Sequence, residues 1–307
     1  MTISVVTTLY NSAPYIGEFL ERIRTELAKL AEDYEIIFVD DGSPDESLAT
    51  ARALLATDPR VKIIELSRNF GHHKAIMTGL EHAIGDVVFL IDVDLEEPPE
   101  LLGRFFRILR DEELDVVFGY QTRRKGGLIE RFGGDLAWRF LNLFLPVKIP
   151  RSHSTVRLMV RAYVDALVRH KEHKTAIGGL WVMTGFKQKG IAFEKGSRAE
   201  TSYSMGKRLI ALLDSITSFS ELPLFIVFYT GCAVILGATI MGGYLIIRRI
   251  NGHLLEGWAS TMVLISFFGG LTVFSIGLVG LYVSRIFIET KKRPYTLIRR
   301  IYDREHP

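Results

Sequence analysis

Residues 87–100 read Val-Val-Phe-Leu-Ile-Asp-Val-Asp-Leu-Glu-Glu-Pro-Pro-Glu. Val87 to Ile91 form an unbroken apolar run, the pattern of a strand covered on both faces. Asp92-Val93-Asp94 closes it. Two carboxylates at such a strand end cost desolvation unless a cation or ligand pairs them. Hard oxygen donors at this spacing suit Mg²⁺ or Mn²⁺ bridging a diphosphate. A lone Asp-x-Asp arises by chance in many proteins, so its surroundings must decide. No Gly follows where an EF-hand requires one, and neither a Walker A loop nor a Gly-x-Gly-x-x-Gly fingerprint is present. That argues against a calcium hand, an ATPase and a dinucleotide enzyme.

Working outward, Ile3 to Thr8, Glu35 to Val39 and Val61 to Leu66 are further β-branched runs. Segments with helical spacing lie between them. The pattern predicts helices over Pro14 to Leu30, over Asp45 to Ala56 with Pro44 placed to start it, and over His73 to Ala83. Strand and helix in alternation imply an α/β domain with a mostly parallel sheet covered on both faces. Ligands of such sheets gather beyond the carboxyl ends of the strands. Those ends carry Tyr10-Asn11, Asp40-Asp41-Gly42-Ser43, Ser67-Arg68-Asn69 and Asp92-Val93-Asp94. Turn chemistry would explain Asp41-Gly42-Ser43-Pro44 alone. Four polar strand ends on one edge make a site.

The rest of the chain differs in character. Charged residues make up 24% and hydrophobic ones 48%, with mean hydropathy +0.19, which excludes disorder and low-complexity scaffolds. A net charge of +3 from 38 Lys and Arg against 35 Asp and Glu is too balanced for a nucleic-acid binder. The single cysteine, Cys232, supports neither an internal disulfide nor a thiolate metal cluster. Leu222 to Ile247 and Trp258 to Ser284 contain no charge, and each exceeds the roughly 20 residues needed to span a bilayer. Tyr229, Tyr244, Trp258 and Tyr282 stand toward several of the ends, where amphipathic rings are favoured. The connecting loop carries Arg248 and Arg249. Lys207 and Arg208 precede the first span, and Arg285, Lys291, Lys292, Arg293, Arg299 and Arg300 follow the second. The positive-inside rule then predicts both termini in the cytoplasm. The N-terminus shows no basic n-region or apolar stretch of a signal peptide. The expected organisation is a catalytic domain over 1–220, a transmembrane hairpin over 221–288 and a basic cytoplasmic tail over 289–307.

Together these residues resemble the membrane-bound, inverting family 2 glycosyltransferases of the GT-A fold that load sugars onto polyprenyl phosphate, such as bactoprenol glucosyltransferases and dolichyl-phosphate mannose synthases. The matching segments are Tyr10-Asn11, Val39 to Asp45, Ser67 to His72, Gly85-Asp86, Asp92 to Glu100 and Arg157-Leu158-Met159. Thr217 to Ser220 and Arg293-Pro294-Tyr295 join them, so the likeness covers nearly the whole chain. It implies a Rossmann-like GT-A domain in which Leu9, Tyr10, Asn11, Asp40, Asp41, Gly42, Ser43, Arg68, His72, Asp92 and Val93 bind the nucleotide sugar. Asp94, Arg157 and Thr155 would serve catalysis, and Asp92, Asp94 and Glu96 would hold Mg²⁺ or Mn²⁺. It further implies a bacterial inner-membrane location, a homo-oligomer (a tetramer) and a flippase partner.

Three departures stand out. Ser12 replaces a frequent Glu. Glu96 replaces a common Gln and offers a third carboxylate to the metal. Ser154-Thr155-Val156 replaces Gly-Asp-Phe, and Thr155 cannot act as a base. A polyprenyl phosphate acceptor, with a second pKa of about 6, is already anionic near neutral pH and needs positioning more than deprotonation. A sugar hydroxyl would need a base. Arg124, Lys125 and Arg131 are candidates to hold that phosphate, because they lead into an amphipathic stretch, Leu136 to Leu145, suited to the membrane surface.

The function read from the sequence is transfer of a hexose from a nucleotide diphosphate sugar, UDP-linked, to undecaprenyl phosphate at the cytoplasmic face. Two other readings stay open: transfer to a sugar or glycolipid hydroxyl, and a catalytically dead scaffold for a lipid flippase. Processive hydroxyl-directed synthases carry a Gln-x-x-Arg-Trp motif, which this chain lacks.

Overall fold

The computed structural model describes residues 1–121, 153–172, 177–194, 222–251 and 257–303. Its centre is β1 (Thr2–Leu9), with β2 (Asp33–Asp40) and β4 (Val87–Leu90) parallel to it on either side. Beyond β2 lies β3 (Val61–Leu66), also parallel. Beyond β4 come β6 (His153–Val160), antiparallel to it, then β5 (Val116–Gln121) and β7 (Gln188–Phe193). With β8 (Ile298–Tyr302) at the far edge beside β3, the order is β7-β5-β6-β4-β1-β2-β3-β8. The centre is parallel as expected, and two antiparallel strands make the whole sheet mixed.

All four residues of β4 are buried, each apolar side chain contributing about 1.5–3 kcal/mol when removed from water. Alternation splits the core into two layers. Ile3, Val5, Ile36, Phe38 and Phe89 pack against α1 (Ala13–Leu27), α2 (Ser47–Leu55) and α4 (Leu101–Asp111). Val6, Ile37, Val39, Val88 and Leu90 face α3 (His72–His82), α5 (Arg161–Leu167) and α6 (Ile177–Met183). Helix α3 lies close on the sheet: a Cβ at Gly79 would stand 2.5 Å from a methyl of Val6 and 2.8 Å from one of Val39.

Helix α2 starts two residues later than Pro44 and Asp45 suggest. The reason is that the Asp45 carboxylate accepts hydrogen bonds from the Ser47 N–H (3.2 Å) and hydroxyl (2.6 Å), closing a turn ahead of the helix.

Helices α7 (Leu222–Ile250) and α8 (Trp258–Thr290) are long and apolar enough to cross a membrane, and the apolar windows within them are not buried by the rest of the protein. The segment after α8 returns to the sheet. Ile298–Tyr302 forms β8, antiparallel to β3, where the sequence suggested a separate basic tail. Tyr302 is buried and donates to Glu65 (2.7 Å), while Arg299 reaches the same carboxylate at 3.2 Å. Arg52 and Arg300 lie over the Tyr302 ring.

Candidate active site

The carboxyl ends of β1 to β4 converge on one edge, and their loops are laced together by side chains. Leu9 is buried in the core, and its carbonyl accepts the Asp41 N–H at 3.0 Å. Tyr10 is half exposed and Asn11 takes φ 53, a left-handed conformation that Asn tolerates. The Ser12 N–H donates to the Ser47 hydroxyl (2.8 Å) and the Ala13 N–H to Asp45 (3.2 Å). Ser12 therefore belongs to a seam between the first two loops, which accounts for a small residue there.

Asp40 and Asp41 are both 2% exposed. Burial raises both carboxyls above the ordinary range. Hydrogen bonds from Ser43 oppose the shift at Asp40. The oxygens of Asp41 accept the backbone N–H groups of Phe70 (2.7 Å) and Gly71 (2.9 Å). Asp41 thus holds the β3–α3 loop, which carries Arg68 and leads into His72 at the start of α3. Gly42 is forced by the same contact. It has φ +66, and a Cβ would lie 2.6 Å from Asn69 N and 2.7 Å from Arg68 C. Ser43 donates its N–H to Asp40 at 3.3 Å. Arg68 lies over the Phe70 ring at 4.1 Å.

His72 ties three elements. Its Nδ1 is 3.1 Å from the Thr8 hydroxyl and its Nε2 is 3.5 Å from Asp92 Oδ1. From α3 it meets the ends of β1 and β4 together. Past β4 the chain alternates: Val93 is buried in the core and Leu95 packs against it, leaving Asp92 and Asp94 half-buried. Asp94 Oδ1 accepts the Glu96 N–H at 3.1 Å.

Two adjacent carboxylates of hard oxygen fit Mg²⁺ or Mn²⁺, ions that keep several positions for water and phosphate oxygens. Glu96 does not join them in a cage. Among the described residues no three His, Cys, Asp or Glu side chains converge as a metal-binding group, and the chain turns at Leu95, φ 60, between the pair and Glu96.

Thr155 and Arg157 lie on β6. Arg157 pairs in register with Leu90, so Thr155, two residues earlier on the antiparallel strand, lies toward the end of β4 that leads to Asp92. Arg157 itself is 1% exposed. Its guanidinium packs 3.0 Å from the Trp181 ring centroid, and its Nε and Nη2 donate to the carbonyls of Thr155 and Ser154, both at 3.3 Å. The sequence reading counts Arg157 among the catalytic residues; in the structure its side chain is buried and holds the Thr155 and Ser154 backbone carbonyls. Burial pulls its pKa down to about 9, against the opposing influence of Tyr163 and Glu97. Glu97 and Ser154, also buried, are hydrogen-bonded to each other. Nothing in the spacing of Glu97 signals this contact.

The Arg293-Pro294-Tyr295 motif reaches the same region. Lys74 Nζ lies 5.3 Å from the Tyr295 ring, the Thr296 hydroxyl is 2.8 Å from that of Thr78, and Ser67 N–H donates to the Leu297 carbonyl at 2.8 Å. Burial first, then Arg68, lowers the Lys74 pKa, and burial pushes Tyr295 up to about 12. Arg124, Lys125 and Arg131, the stretch Leu136 to Leu145, and Thr217 to Ser220 lie outside the described residues.

Comparison with known proteins agrees with this architecture. Residues 4–168 match the family described as Glycosyl transferase family 2, and the chain belongs to that family. A Mycobacterium tuberculosis protein named as a glycosyltransferase is 50% identical over 303 residues, 98% of this chain and 89% of that one. The prophage bactoprenol glucosyl transferase homolog of Escherichia coli K12 is 32% identical over 304 residues, 98% of this chain and 99% of its own. Among solved structures, glucosyl-3-phosphoglycerate synthase of M. tuberculosis superposes with TM-score 0.50 at 19% identity, over 70% of this chain and 76% of that one. The protein is a family 2 glycosyltransferase with a GT-A sheet.

Proposed function

We propose that the enzyme transfers a hexose from a UDP-linked sugar to a polyprenyl phosphate at the cytoplasmic face of the bacterial inner membrane, with inversion at the anomeric carbon. The observation that carries this reading is the likeness to bactoprenol glucosyl transferases over 97–98% of the chain, both apolar helices included. The pairing of β8 with β3 supports the topology. With α7 and α8 both crossing, the strand after the second crossing and the catalytic sheet must lie on one side.

In this reading the donor lies across the strand ends. Asp40, with Tyr10 and Asn11, meets base and ribose, while Asp41 and Gly42 act through the loop that presents Arg68 and His72. Asp92 and Asp94 would hold Mg²⁺ or Mn²⁺, which supplies charge stabilisation to the leaving diphosphate. His72 keeps Asp92 oriented. Arg124, Lys125 and Arg131 hold the acceptor phosphate. Its oxygen bonds to the anomeric carbon from the face opposite the nucleotide while the bond to the diphosphate oxygen breaks. No base is required, which is compatible with Thr155 at that position. An oligomer would use the glycine positions of α7 and α8, such as Gly237 and Gly277, where an added Cβ meets nothing within 4 Å.

The decisive experiment incubates membranes containing the enzyme with a panel of nucleotide sugars and undecaprenyl phosphate, and weighs the lipid product by mass spectrometry. A hexosyl phosphoprenol is expected, abolished by Asp94→Asn and reversibly by EDTA. Transfer to a sugar hydroxyl, with the prenyl phosphate unused, would overturn the acceptor.

A further inference from the structure

Glu97 is a buried carboxylate that the reaction just described does not use. It is 1% exposed, as is Arg157, and Ser154 is 9% exposed. The turn after β4 alternates inward and outward. Val93 and Leu95 point to the core and Glu97 to β6, while Asp92 and Asp94 stay accessible between them. The last β4 pair with β6 is Leu90 with Arg157, so backbone pairing does not hold the carboxylate turn against that strand. The Ser154 hydroxyl donates to the Glu97 carboxylate, joining the far end of the turn to β6. Arg157 closes the arrangement by bonding the carbonyls of Ser154 and Thr155 at 3.3 Å each and packing on Trp181. Tyr163 and then Glu97 favour the buried guanidinium against the cost of its burial.

We propose that Glu97 is a positioning residue of the donor site: bonded to Ser154 and beside Arg157, it fixes the Asp92–Asp94 turn to the start of β6. The inference rests on the reading that Asp92 and Asp94 hold a divalent cation. Two like-charged carboxylates repel each other before the ion arrives, so their spacing has to be imposed by groups behind them. A partner behind a metal ligand typically alters metal affinity by about 10–100-fold.

The test uses the full chain purified in detergent, with Mn²⁺ binding in the presence of UDP followed by electron paramagnetic resonance. Melting temperature and steady-state kinetics are measured on the same samples. Glu97→Gln should weaken Mn²⁺ binding about tenfold and raise the Mn²⁺ concentration for half-maximal activity in parallel, leaving the KM for the lipid acceptor unchanged. Glu97→Asp, which keeps the charge, should recover part of the loss. Should Glu97→Gln fail to fold, Ser154→Ala, which removes one hydroxyl, carries the test with an expected weakening of about threefold to tenfold. Unchanged Mn²⁺ affinity in whichever of these variants folds, with only a lower melting temperature, would make the cluster structural and overturn the inference. If the wild-type enzyme takes up no Mn²⁺ with UDP, the donor-site reading fails first and this inference with it. Wild-type binding with no loss in the variants overturns this inference alone.

Discussion

Replacing Asp41 by Asn separates two roles that the sequence leaves merged, contact with the nucleotide and support of the loop that presents Arg68 and His72. In the structure the carboxylate accepts two backbone N–H groups, from Phe70 at 2.7 Å and Gly71 at 2.9 Å. Hydrogen bonds to a charged acceptor are worth about 1.5–3 kcal/mol each. Asn keeps one acceptor oxygen and turns an NH₂ toward the other N–H, so one bond is lost and a buried donor is left facing a donor. Removing a charge that burial disfavours returns part of that cost. The net loss is about 2 kcal/mol, and a sheet domain of this size should melt about 4–8 °C lower. UDP affinity, measured by calorimetry on the detergent-solubilised protein, should fall only about threefold to tenfold, because the loop loosens while other donor contacts stay. A melting temperature within about 1 °C of wild type, together with a loss of UDP affinity of about a hundredfold, would refute this reasoning. Asp41 would then be a direct nucleotide contact.

Gly42→Ala should destabilise the domain by about 2–4 kcal/mol, from a left-handed non-glycine residue and a clash with loop backbone that has no side chain to move aside; a thermal melt equal to wild type would contradict it. Asp40→Asn should weaken UDP binding yet raise stability at neutral pH by about 1 kcal/mol. The sign follows from the raised carboxyl: in the wild type, proton-linked stability is present below the ordinary 3.8 and is lost as pH rises through the folded-state value. The advantage of Asn should therefore open above that value and close below 3.8, as read from melting temperatures across pH. A cysteine at Asn251, with Cys232 replaced, should be labelled from the periplasm, and one at Ser47 should not; the reverse labelling would end the topological reading.

Much of the site edge was legible in the sequence because strand patterning is local. An apolar run such as Val87 to Ile91 needs burial on both faces wherever it lies, and a parallel sheet brings the polar residues after such runs to one edge. The two long apolar helices were legible for the same reason: uncharged stretches as long as Leu222 to Ile247 are marked by composition alone. The family, and with it the candidate donor residues, followed from motifs spaced along the whole chain.

What only the tertiary structure decided involves partners far apart in sequence. Tyr302 finds Glu65 across the sheet, turning an expected tail into β8. Asp41 spends its oxygens on Phe70 and Gly71, and Arg157, polar and near a catalytic edge, is buried against Trp181. Glu96 forms no three-ligand group with Asp92 and Asp94 among the described residues, whereas Glu97 beside it turns inward to Ser154. Periodicity tells which face a side chain takes. The hydrogen-bond partner of a buried polar group depends on which strand lies next to it, and that choice is made only when the sheet assembles.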